Sequence, residues 1–190
     1  MVEISDYESE EHATQLMESI LEGALESGCA TDAAIASSLS QARKFWDMRE
    51  HIPLAQADDG PNIKHDVSLP TSAIPTFVAV CNEMLRKKYS GIRIINYGHL
   101  GDGNLHYNVA GPTSAETESF FTNRSKEIQA LVYKEVEKLN GSISAEHGVG
   151  QQKVDYLKGH RGEVALNVMQ AIKKALDPNN LMNPGKVVSI

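Results

Sequence analysis

The chain has 190 residues and a formal net charge of −7, with 41% hydrophobic and 23% charged residues. That length suits one domain with its own core, or one and a half small ones, and an acidic balance argues against a nucleic-acid groove or a polybasic membrane surface. No apolar run is long enough for a membrane span, and the acidic N-terminus does not resemble a signal peptide. Cys29 and Cys81 are predicted to be free thiols in a reducing compartment, the cytoplasm or, in a eukaryote, the mitochondrial matrix.

The N-terminal third is predicted to contain two helices. Extended segments are predicted at residues 2–4 and 32–36. Ser5, followed three residues later by glutamate, resembles a capping box, and Gly28 is expected to end the first helix. Ser37 or Ser38 is expected to cap the second helix, and Pro53 should end or kink it.

The remainder of the chain alternates between apolar runs with strand character and amphipathic runs with helical spacing. Strands are predicted at residues 63–69, 92–97 and 142–145, and helices at residues 71–88, 114–139 and 162–176. Most of these strands are too short for a large parallel sheet. The pattern therefore predicts an α+β fold, in which an antiparallel sheet is covered by helices.

The most informative segment of the sequence surrounds Asp102-Gly103. This dipeptide favours a two-residue hairpin turn with positive φ at both positions. Such a turn would place His99 opposite His106 and Tyr97 opposite Asn108, all on one face of the sheet. Two imidazoles at that distance can bind one divalent ion. The alternative is a pair of hydrogen-bonded sheet histidines.

A second polar cluster occupies residues 144–150, where Glu146 and His147 precede two glycines. A carboxylate beside an imidazole suits a metal ligand with an adjacent base, and the glycines permit close approach of the backbone. Alone, such a pair is usually solvated. Together with His99 and His106, however, Glu146 would complete a three-ligand site with positions open for a substrate.

Residues 98–106 (GHLGDGNLH) and 146–150 (EHGVG) together resemble the C-terminal domain of the FAD-linked oxidase family, which includes dehydrogenases of D-2-hydroxyglutarate and D-lactate. Residues 45–50 and 64–70 resemble the D-2-hydroxyglutarate branch. Residues 181–186 resemble the tail that returns to the flavin domain in that family.

This resemblance implies a set of site residues. His99, His106 and Glu146 would bind zinc or manganese, and His147 would act as the general base. The other implied assignments are Arg49, Lys64 and Asn108 for the substrate and Asn183 beside the flavin. The implied reaction is oxidation of a 2-hydroxyacid to a 2-oxoacid, with metal-assisted loss of the hydroxyl proton and hydride transfer to FAD.

Two substitutions leave the substrate open between D-2-hydroxyglutarate and D-lactate: Pro53 replaces an expected threonine, and His65 replaces a more usual aromatic. Residues 1–176 are expected to form the metal- and substrate-binding domain, incomplete at its N-terminus, and residues 177–190 the returning tail. No GxGxxG fingerprint occurs, so the FAD domain is expected upstream or in another chain. By itself this chain is expected to be inactive.

Two other classes of function stay open from the sequence. The same histidines and glutamate could activate water in a metallohydrolase, although no HExxH helix is present. The chain could also be a non-catalytic, truncated metal-binding domain. The sequence does not identify the electron acceptor, and we expect neither a nucleic-acid partner nor a membrane span.

Overall fold

A computed structural model describes residues 1–112, 117–160 and 162–189. The chain divides into two compact units, Met1–Gly60 and Pro61–Ile190. The helices are α1 (Glu10–Glu26), α2 (Leu39–Glu50), α3 (Ile52–Asp58), α4 (Ile74–Lys88), α5 (Thr117–Lys138), α6 (Val154–His160) and α7 (Glu163–Leu176). The strands are β1 (Asn62–Ile63), β2 (Asp66–Ser68), β3 (Arg93–Tyr97) and β4 (Asn104–Ala110). The predicted α+β architecture, with helices on an antiparallel sheet, is confirmed.

The first unit is helical throughout its regular structure, because the segments predicted as strands at residues 2–4 and 32–36 are irregular. The prediction of a capping box at Ser5 was also wrong. Helix α1 begins four residues later, where the Ser9 side chain accepts a hydrogen bond from the backbone of His12. The cap at Ser38 is confirmed by its bond from Gln41 N, and Pro53 lies in the first turn of α3, where a missing N–H costs nothing.

Strand β4 is the centre of the sheet, with β3 paired along one edge and both β1 and β2 paired along the other, all antiparallel. The single strand predicted at residues 63–69 is therefore interrupted between β1 and β2. At the interruption, His65 N donates to the side-chain Oδ1 of Asn108 at 3.2 Å. The register with β4 is the same on both sides, since Ile63 pairs with Val109 and Asp66 with His106, so no residue is inserted at the interruption.

The core of the second unit lies between the sheet and two helices. Every fourth residue of α4 and α5 faces it: Phe77, Cys81 and Leu85 from α4, and Ile128, Val132 and Val136 from α5, all fully buried. Tyr107 and Val109 meet them from β4, each with no exposed surface. Each large side chain buried in this way contributes about 1.5–3 kcal/mol.

The connection between β3 and β4 differs from the predicted two-residue turn. A 3-10 turn spans Leu100–Asp102, and of the two residues predicted to have positive φ, Asp102 and Gly103, Gly103 alone does, at 72°. As a result Tyr97, not His99, pairs with His106. The register differs from the prediction by two residues, which leaves each β-strand side chain on its predicted face. A Cβ at Gly103 would lie 2.2 Å from the Leu69 carbonyl oxygen, so glycine is required there.

Two further differences concern the C-terminal half, and one predicted helix start there cannot be compared. The predicted helix start at Ser114 lies outside the described residues, and α5 is described from Thr117. The strand predicted at residues 142–145 reduces to one bridge between Ser142 and Ser68. Helix α6 was missed, because it is short. Among the described helices, none has the length and apolarity needed to cross a membrane.

Candidate metal and catalytic site

The second unit brings three of the predicted site residues into one cluster. His106 projects from β4, His99 precedes the 3-10 turn after β3, and Glu146 lies in the loop before α6. The two oxygens of Glu146 face one imidazole each: Oε1 lies 3.8 Å from His99 Nε2, and Oε2 lies 3.7 Å from His106 Nε2. The polar patch predicted from the hairpin is changed, because Ile95 replaces Tyr97 opposite Asn108.

The loop that carries Glu146 is held against the edge of β2. Ser142 exchanges two backbone hydrogen bonds with Ser68, and Ala145 N donates to the carbonyl of Asp66 at 3.2 Å. From the other side, Lys153 Nζ donates to the carbonyl of Ile143 at 2.9 Å. Backbone bonds and a partly buried cation therefore fix where the loop begins.

Asp66 lies beneath this loop and was not among the site residues predicted from the sequence. Its Oδ2 accepts from the backbone N–H groups of Glu146 and His147, each at 2.8 Å, and its Oδ1 accepts from Asn104 Nδ2 at 3.1 Å. His147 Nδ1 lies 3.4 Å from Asp66 Oδ2. Its own segment carries no clear signal, because Lys64, His65 and Ser68 around it are polar as well.

The backbone turns at Glu146 and His147. Their amide groups donate to the same carboxylate oxygen. Gly148 and Gly150, with φ of 73° and 53°, follow in left-handed conformations. The ring of His147 stacks on that of His106 at 6.0 Å between centroids and an interplanar angle of 25°.

The charges in this cluster favour a neutral histidine beside an ionised acid. Burial alone would raise the pKa of the Asp66 carboxyl, but hydrogen bonds from the amides of His147 and Glu146 hold that pKa below its usual value. Burial lowers the pKa of His106, although the carboxylates of Glu146 and Asp66 oppose this. A neutral imidazole keeps a lone pair for a metal ion.

The donors in the cluster fit a divalent cation. Imidazole nitrogen and carboxylate oxygen are the ligand types that zinc and manganese sites use. Within the described residues, one donor atom from each of Asp66, His106 and Glu146 also lies within 4.8 Å of the others. The structure thus offers two overlapping ligand sets, one with His99 and one with Asp66.

The residues predicted to contact the substrate and the flavin do not form a cluster like that of the predicted metal ligands. Lys64 is exposed between β1 and β2, whereas Asn108 is buried and accepts the backbone N–H of His65. Arg49 belongs to the first unit, where its Nη1 lies 3.8 Å from Glu50 Oε1. Asn183 is exposed in the C-terminal tail, with φ of 48°.

That tail also contacts the loop of the candidate site. Val187 N donates to the carbonyl of Gly150 at 2.8 Å, and Lys186 Nζ contacts Gln151 Oε1 at 3.3 Å. Residues 186 and 187 therefore lie beside the turn that follows Glu146 and His147.

Comparison with known proteins gives a consistent result. The family described as FAD linked oxidases, C-terminal domain, matches residues 1–187. A D-2-hydroxyglutarate dehydrogenase of Stutzerimonas stutzeri (strain A1501) is 36% identical over 94% of this chain and 38% of its own length. The corresponding protein of Xanthomonas citri pv. viticola is 39% identical over 87% of this chain and 35% of its own length. A mitochondrial D-2-hydroxyglutarate dehydrogenase of Bos taurus is 35% identical over 93% of this chain and 31% of its own length. The chain thus spans about a third of the length of these relatives.

Proposed function

This chain belongs to the FAD-linked oxidases, as a C-terminal domain of that family, and from this membership we propose that it is the metal- and substrate-binding part of a D-2-hydroxyacid dehydrogenase. The flavin would be held by a separate domain, upstream in the same protein or in another chain. We propose residues 1–176 as the metal- and substrate-binding region and residues 177–190 as the tail directed to the flavin domain. A cytoplasmic or mitochondrial-matrix location is part of the same proposal, supported by the mitochondrial designation of the Bos taurus relative.

One observation carries the proposal: the two carboxylate oxygens of Glu146 each face the Nε2 atom of a different histidine. His99, His106 and Glu146 would hold one zinc or manganese ion, which, when bound, would polarise the hydroxyl group of the substrate and lower its pKa. Three protein ligands leave positions open for a substrate, as a catalytic site requires.

His147 is proposed to take the proton of the substrate hydroxyl. Its Nδ1 faces Asp66 at 3.4 Å, so its Nε2 is the atom left to accept a proton. Its side chain is 64% exposed, which allows a substrate to reach it. Removal of that proton favours departure of the hydride from the adjacent carbon, and FAD supplies the two-electron acceptor when its domain is present.

Arg49, Lys64 and Asn108 are proposed to bind the substrate, and Asn183 to lie near the flavin. The family resemblance of their segments supports these roles. A planar guanidinium can bind one carboxylate with two parallel bonds, and an ammonium group adds a point charge. Two cations suit a dicarboxylate such as 2-hydroxyglutarate. The kcat/KM of the complete flavoenzyme for D-2-hydroxyglutarate, compared with D-lactate, would distinguish the two substrates.

The metal site is tested by titrating the metal-free chain with Zn²⁺ and with Mn²⁺ in a calorimeter. We expect about one ion per chain, and loss of binding in His99→Ala and in His106→Ala. His51→Ala is the control, because His51 is exposed on the first unit. Unchanged binding in both site variants would contradict the proposed ligands.

The base is tested by His147→Asn in the complete flavoenzyme. A general base contributes about 10²–10⁴-fold to turnover, so kcat should fall by that factor while the metal content stays the same. Release of the metal by His147→Asn, to the extent seen in His99→Ala, would mean that His147 is a ligand. Full metal occupancy with no turnover in the unmodified enzyme would favour a non-catalytic metal-binding domain.

A further inference from the structure

The carboxylate of Asp66 lies beneath the loop that carries Glu146 and His147, and in the proposed function it only faces Nδ1 of His147. It is 3% exposed. A charge buried to this extent is stable only when hydrogen bonds compensate for lost hydration, and the amides of Glu146 and His147 and the Asn104 side chain provide them. The bonds to the two amides also hold the loop that presents Glu146 and His147.

The same carboxylate faces one particular nitrogen of each neighbouring histidine. Asp66 Oδ1 lies 3.9 Å from Nδ1 of His106, and Asp66 Oδ2 lies 3.4 Å from Nδ1 of His147. A negative charge on the Nδ1 side of an imidazole favours the tautomer with its proton on Nδ1. The Nε2 atom then keeps its lone pair, and Nε2 of His106 is the atom that faces Glu146.

In this arrangement Asp66 supports the ligand His106 and is not itself placed to bind the ion. The two ring nitrogens of an imidazole point in different directions, so an ion beside Glu146 would use Nε2 of His106 while Asp66 faces the Nδ1 side of that ring. Both oxygens of Asp66 already accept hydrogen bonds from other groups. Carboxylates that hold a metal-binding histidine from its far side are a common feature of metal sites.

We propose that Asp66 is a positioning residue, which holds the Glu146–His147 turn and keeps the proton of His106 on Nδ1, and that it does not bind the metal. This inference rests on the proposed function, since it takes His106 and Glu146 as ligands. It selects the ligand set with His99 over the set with Asp66.

The first test needs no substitution. Long-range ¹H–¹⁵N spectra of the metal-free chain, recorded where His106 is neutral, report which ring nitrogen carries the proton. We expect Nδ1–H for His106, and a shift of its tautomer balance toward Nε2–H in Asp66→Asn. A proton on Nε2 of His106 in the unmodified chain would overturn the proposal.

The second test measures zinc affinity, and Asp177→Asn is the matched control. Asp177 is also a buried carboxylate, 4% exposed, which accepts from the backbone N–H groups of Leu181 and Met182 at 2.8 and 2.9 Å. Asp66→Asn should weaken Zn²⁺ binding about 10- to 100-fold, the usual cost of removing such a supporting group. Asp177→Asn should leave the affinity unchanged.

The outcomes distinguish failure of the metal site from failure of the positioning role. If the unmodified chain binds neither Zn²⁺ nor Mn²⁺, the proposed metal site itself fails. If the chain binds zinc and Asp66→Asn has no effect on the affinity, the positioning role is wrong. If Asp66→Asn abolishes binding as completely as His106→Ala, the positioning role is also wrong and Asp66 is a ligand. If Asp66→Asn does not fold, the tautomer of His106 in the unmodified chain decides.

Discussion

Replacement of His65 by phenylalanine is expected to make the second unit less sensitive to acid. The His65 side chain is 1% exposed, and its Nδ1 lies 2.7 Å from the Tyr107 carbonyl oxygen. Its Nε2 is buried, and none of the described residues forms a hydrogen bond with it. Burial, assisted by the charge of Lys153, lowers the pKa of His65 from 6.5 to about 4 despite the bond to Tyr107.

The direction and size of the effect follow from proton linkage. Between pH 6.5 and 4 the unfolded chain binds a proton at residue 65 that the folded chain does not, so the free energy of unfolding falls as the pH is lowered through this window. The slope is about 1.4 kcal/mol per pH unit, and the whole window amounts to about 3 kcal/mol. Above pH 6.5 this contribution to stability is fully present.

Urea denaturation of the metal-free chain, at several pH values from 4.5 to 7.5, measures this difference. His65→Phe should be less stable at pH 7, by about 1–3 kcal/mol for the lost hydrogen bond, yet it should lose less stability on acidification. Because His106 is present in both proteins, it cancels from the comparison. His51→Phe, at an exposed position, is the control. Parallel pH profiles for the unmodified chain and His65→Phe would refute the reasoning.

Two other predictions concern the loop after β3 and the cysteines. Gly103→Ala should lower the free energy of unfolding by more than about 2 kcal/mol, because alanine is strained at φ of 72° and its Cβ would meet the Leu69 carbonyl oxygen. The control Gly101→Ala, whose Cβ would contact no described atom within 4 Å, should change it by no more than about 0.5 kcal/mol. Equal melting temperatures of the two variants would contradict this. With a thiol reagent at pH 8, Cys29 should react in the folded chain and Cys81 only after unfolding, because Cys81 is fully buried and burial raises its pKa to about 12. Rapid labelling of both thiols in the folded chain would show that the core around α4 opens readily.

The sequence was sufficient for features that depend on near neighbours. The alternation of helical and strand-like segments predicted α4 and most of α5, and the serine before residue 39 predicted the start of α2. The motifs at residues 98–106 and 146–150 identified the family, which the comparison confirmed over residues 1–187. These signals survive without the fold, because spacing, capping and motif identity are local properties.

Features that depend on distant partners needed the tertiary structure. The Asp102-Gly103 pair suggested a tight turn, but the packing of Gly103 against Leu69 and the pairing of Tyr97 with His106 gave a longer loop. Asp66 could not be ranked among acidic residues from its own segment, because the two amides that it binds lie 80 and 81 residues away in the chain. A carboxylate acquires such a role only when the fold removes it from water and brings donors to it, and neither its burial nor its partners can be read from its immediate neighbours.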